Sequence, residues 1–137
     1  MTRGDAEDWL AHAAADLRYA RLGQAEAGDL AALIAFHAQQ AVEKALKAVL
    51  VHRAADFPKT HDLERLVELI QDAGVEWPAQ LDAVLSLVPF ATQARYPGFD
   101  DPITEAELKA ALAFAEEAIR WATTVCALPA GAGPGAA

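Results

Sequence analysis

The sequence predicts an all-α domain, an antiparallel bundle of about five helices. Three observations predict it. Alanine supplies 34 of 137 residues, and it is the strongest helix former. Glycine and proline are scarce, 8 and 7 residues, and five of those fifteen fall in the last nine positions. Apolar residues recur three and four apart, with no sustained period-2 alternation, so helical rather than strand faces are expected. An aromatic share of 7% is also low for a sandwich or barrel.

Each element follows from period and punctuation. The first helix is expected from about Asp5 to Leu22. Asp5 is a candidate cap, Glu7 and Asp8 suit the first turn, and Gly23 is a stop signal. Trp9, Ala13, Leu17 and Ala20 mark its apolar face. The second helix is expected from about Asp29 to Ala54, with the stripe Leu30, Leu33, Ala38, Val42, Ala45, Leu46 and Val49. The third opens after Thr60, a cap candidate, and carries Leu63, Leu66, Val67 and Ile70 up to Gly74. The fourth opens on Pro78 and carries Leu81, Val84, Leu85 and Val88, with a kink or break expected near Pro89. The fifth starts at Thr104, which forms a capping-box signature with Glu107. Leu108, Leu112, Ala115, Ile119 and Ala122 then repeat to about Leu128.

The length suits one domain, placed at residues 5–128, with 129–137 expected as a disordered tail of Pro, Gly and Ala only. A single cysteine, Cys126, excludes a disulfide framework within the chain and a cysteine-based zinc module. No apolar run approaches the roughly 20 residues that span a bilayer. The start, MTRGDAEDWL, is too acidic for a signal peptide. A cytoplasmic protein without membrane contact is therefore expected. The net charge of −9 argues against broad, charge-driven binding of nucleic acid.

Three stretches carry candidate chemistry. In Phe36–Lys47, FHAQQAVEKALK, the residues Gln40, Glu43 and Lys47 share a face with Phe36. Glu43 and Lys47 are in the favourable order for an i,i+4 ion pair. They are either a solvated face or, in a bundle that buries much of this helix, covered groups in need of partners. In Lys59-Thr60-His61-Asp62, Thr60 and Asp62 suit a helix start, which leaves His61 as a neutral donor or acceptor or as a packed residue holding the loop. In Ala94–Gly98, the Tyr-Pro-Gly turn projects Arg95 and Tyr96. Arg95 is one of three basic residues after Arg65, against ten acids, and serves either as a carboxylate's partner or as an anion site. Lys44, Lys47, Arg53 and Lys59 with one acid, Asp56, make residues 44–61 the locally cationic region. His37 and Asp16 are placed to meet across helices. No phosphate loop, HExxH or nucleophile elbow occurs, and neither a cofactor nor a metal is expected. Cys126 reads as a small buried hydrophobe.

The ordered set QQAVEKALKAVL, KTHDLERL and ARYPG, followed by a final amphipathic helix, closely resembles the HEPN domain, with Ala13, Asp16 and Leu17 fitting its AxxDL. The resemblance covers about residues 5–125. It implies a bundle of about five helices and a homodimer, often encoded beside a minimal nucleotidyltransferase as a toxin–antitoxin or nucleotide-related pair. Many HEPN toxins are metal-independent ribonucleases with an Arg followed after four to six residues by His. Here no Arg is followed by His at that spacing, and no His occurs beyond His61. The ARYPG form resembles the nucleotide-binding branch. The resemblance therefore implies no catalytic residue, and a nucleotide- or partner-binding polar cleft of Gln40, Glu43, Lys47, His61, Arg95 and Tyr96. The alternative is a ribonuclease toxin with an atypical site that uses His61.

Overall fold

The computed structural model describes residues 4–24, 30–87 and 103–129. Four α-helices and one 3₁₀ helix account for most of them: α1 Ala6–Gln24, α2 Ala31–His52, α3 Leu63–Asp72, the 3₁₀ helix Ala79–Leu87 and α4 Glu105–Cys126. No strand occurs among the described residues. None of these helices is long and apolar enough to cross a membrane.

Local physics fixes the helix starts. The Asp8 amide donates to Asp5 Oδ1 at 2.9 Å and the Asp5 amide to Asp8 Oδ2 at 3.1 Å. This reciprocal pair satisfies two amides at the head of α1. Thr104 and Glu107 form the expected capping box on α4, both bonds at 3.0 Å. The start of α3 differs from expectation. Its cap is Asp62, which accepts from the amides of Glu64 and Arg65, while Thr60 Oγ1 accepts from the Asp62 amide one turn earlier. A carboxylate at this end also meets the positive pole of the helix. α3 ends at Asp72, and Gly74 just past its C-cap Ala73 has a φ of +85° that suits a residue without Cβ.

α2 is the centre of the bundle. It is buried almost all round from Ala38 to Leu50. α1 packs antiparallel to it, with Trp9 beside Lys47, Asp16 beside Lys44 and Gly23 beside Ile34. Gly23 does not stop α1. It lies inside the last turn, where an added Cβ would stand 3.2 Å from Ile34 Cδ1, so the absence of a side chain permits the approach. The α2 stripe shifts accordingly at its start. Ala31, Ile34 and Ala35 face the core, and Leu30 and Leu33 are each 49% exposed. The fourth helical segment is 3₁₀ rather than α, beginning just after Pro78. Pro89 lies outside the described residues.

α4 covers another side of α2. His52 Nε2 donates to the Leu128 carbonyl at 2.7 Å, and Cys126 Sγ lies 3.7 Å from the Ala48 carbonyl, so the C-terminal ends of α2 and α4 meet. Cys126 is half-buried rather than fully covered as expected, and that burial pushes its thiol up to about 11.

Candidate functional site

Three of the six residues singled out in the sequence meet at one buried carboxylate. Glu43 lies on the part of α2 that neighbours cover on most sides. One turn further on, Lys47 Nζ donates to its Oε2 at 2.9 Å. From the loop that leads into α3, His61 Nδ1 stands 2.8 Å from its Oε1. An ionised carboxylate only accepts, so Nδ1 carries the hydrogen and, in the neutral ring, Nε2 keeps its lone pair. The Glu43 and Lys47 side chains are 4% and 9% exposed, and His61 is 59% exposed. The cluster is thus a covered ion pair with an imidazole leading outward.

Two aromatic rings complete it. Lys47 Nζ lies 5.8 Å from the ring centroids of both Trp9 and Phe57, within range for cation–π attraction. Those rings meet edge to face at 6.2 Å. The ammonium therefore sits between a carboxylate and two π faces, which offsets part of the cost of removing it from water. Trp9 is visible in the sequence as part of the α1 stripe, yet periodicity carries no sign that its ring reaches Lys47. Phe57 stands before Pro58 in the segment after α2, where no period marks it.

Gln40 takes a different part. Its Nε2 donates to Gln39 Oε1 at 2.9 Å. Gln39 is 0% exposed, and its own Nε2 has no hydrogen-bond partner among the described residues. Arg95 and Tyr96 lie outside the described residues.

A second cluster lies on the seam between α1 and α2. Asp16 accepts from Lys44 Nζ at 2.5 Å and from His37 Nδ1 at 3.3 Å. Tyr19 packs on the His37 ring, centroid to centroid 4.6 Å. The expected meeting of His37 and Asp16 occurs, and Lys44 joins it. These side chains are 16% (Asp16), 27% (Lys44) and 32% (His37) exposed.

Fold and site together define an all-helical domain whose central helix carries two carboxylate–lysine–histidine clusters, one covered and one half-open. Residues 6–125 match the model of the HEPN domain family, and the chain belongs to that family. The crystal structure of an archaeal HEPN homologue superposes with a TM-score of 0.68 at 24% identity, covering 90% of this chain and 98% of that one. That likeness concerns the fold. No curated protein matches the sequence.

Proposed function

We propose that this chain is a non-catalytic HEPN protein that forms a homodimer and works with a separately encoded minimal nucleotidyltransferase, in a toxin–antitoxin-like pair. Its polar cleft takes a nucleotide or an acidic surface of that partner. The observation that supports this most is the closed pairing of Glu43 with Lys47, which leaves the outward imidazole of His61 as the group a ligand meets. Both His61 nitrogens carry hydrogen when the ring is protonated. Nδ1–H then stays on Glu43 while Nε2–H donates to a phosphate or carboxylate oxygen. The sequence has no Arg followed at four to six residues by His, which speaks against ribonuclease chemistry by that route.

The test is direct. The purified chain is titrated with ATP and offered structured and unstructured RNA. ATP binding that is lost in His61→Ala, with no RNA cleavage, is the expected outcome. A second reading has one observation in its favour. The 2.8 Å contact of Glu43 with His61 orients an imidazole with Nε2 free, as a general base requires. RNA cleavage abolished by His61→Ala would replace the binding role with a ribonuclease built on that dyad.

A further inference from the structure

The far side of α1 has a character that the Glu43 site does not explain. Between Trp9 and Gln24 the helix carries one acid, Asp16, and that carboxylate is turned to α2 and paired there. The opposite side bears Arg18, Arg21 and Leu22, in a chain whose net charge is −9. Leu22 is 74% exposed, the most exposed large apolar side chain among the described residues. It borders a groove between α1 and α4, with a cavity of about 330 Å³ and a floor of Leu17 and Ile119.

The charges around the groove are unbalanced. Arg21 Nη2 donates to Glu116 Oε2 at 2.6 Å, and Arg120 Nη2 to Glu116 Oε1 at 3.3 Å. One carboxylate therefore serves two guanidiniums. Arg18 makes no ion pair among the described residues. Arg18 and Arg21 line the groove, and among the described residues no acidic side chain lines it with them, so it carries positive charge on an acidic protein. Arginine is enriched at interfaces, and an exposed leucine beside it offers apolar area to bury.

We infer that this groove receives an acidic amphipathic helix of a protein partner, its apolar stripe on Leu17, Leu22 and Ile119 and its carboxylates on Arg18 and Arg21. Two packed helices offer a concave seam in which a third helix lies lengthwise, the helix-in-groove mode. A flat anionic bilayer does not enter such a seam, and the net charge of −9 repels an extended polyanion. The groove lies across α1 from Glu43 and needs no ligand there, so it stands or falls apart from the cleft.

The probe is a fluorescein-labelled helical peptide with a leucine stripe flanked by glutamates, beside a counterpart with lysines in their place. Fluorescence anisotropy with the full chain should show the acidic peptide binding at least about tenfold tighter than the basic one, with affinity falling as salt is added. Leu22→Asp and Arg18→Glu should each weaken it by about tenfold. Both side chains are exposed, so the circular dichroism of the two variants should match the parent. Equal binding of the two peptides, insensitivity to both variants, or no binding at about 1 mM peptide overturns the proposal. So does a dimer in sedimentation that Leu22→Asp splits, because a second copy would then fill the groove. Flotation of the chain with phosphatidylserine vesicles, lost in Leu22→Asp, overturns it in favour of a membrane.

Discussion

The two carboxylate–lysine–histidine clusters that α2 takes part in use the same three chemical groups at different depths. Glu43 and Lys47 are almost wholly covered, whereas Asp16 and Lys44 keep 16% and 27% of their side chains in water. Glu43 and Lys47 belong to one helix, and their ties to other segments are His61 on the carboxylate and the rings of Trp9 and Phe57 beside the ammonium. Asp16 joins two helices outright, through both Lys44 and His37. Depth raises the cost of losing one partner, because a buried charge left alone keeps its desolvation penalty. Exposure lowers it, because water and salt take over.

The largest expected effect is therefore on Lys47. Lys47→Ala should cost about 3–5 kcal/mol in urea unfolding, and Lys44→Ala about 1 kcal/mol. Equal losses would erase the distinction. Next, replacing both inner partners by apolar residues of similar size, as in Glu43→Leu with Lys47→Met, should recover most of the Lys47→Ala loss. A buried pair exchanged for packed hydrophobes is often neutral or gains about 1–4 kcal/mol. A double variant worse than either single change would mean that the pair does more than satisfy itself. A smaller contrast should appear with salt. At 1 M, where the screening length is about 3 Å, the penalty of Lys44→Ala should shrink and that of Lys47→Ala should persist. The smallest effects belong to the histidines. His61→Ala should cost about 1 kcal/mol, since its acceptor is a buried carboxylate, and His37→Ala under about 0.5 kcal/mol. In ¹⁵N spectra of the neutral rings both should carry the proton on Nδ1.

How much of this was legible in the sequence varies with the distance over which each feature is decided. Helix starts are local, and Asp5 and the Thr104–Glu107 box read correctly. Thr60 and Asp62 are both competent caps two residues apart, so sequence alone does not rank them. The phase of α2 is not local. Leu30 and Leu33 fit the stripe by spacing, but the close approach allowed at Gly23 brings Ile34 inward and leaves both leucines at the edge. At the site, the Glu43–Lys47 pair follows from i,i+4 spacing and His61 from having no local explanation. Their meeting, the rings of Trp9 and Phe57 over Lys47, and the partnership of Lys44 with Asp16 all depend on how distant segments pack. Periodicity holds no information on that. Gln40 shares the predicted face but spends its amide on Gln39.

The alanine content of the α1–α2 seam has a mechanical consequence. Ala13 and Ala20 on α1, and Ala31, Ala35, Ala38, Ala41 and Ala45 on α2, are all in the core. Methyl groups make a smooth contact with few protrusions to resist a slide along the helix axis. Directional contacts do not tolerate that shift. An axial slide of α2 by about 1.5 Å, one residue's rise, would draw Lys44 from Asp16 and Glu43 from His61 together. The polar side chains thus act as keys in a keyway, selecting one alignment among several that oily packing alone would accept.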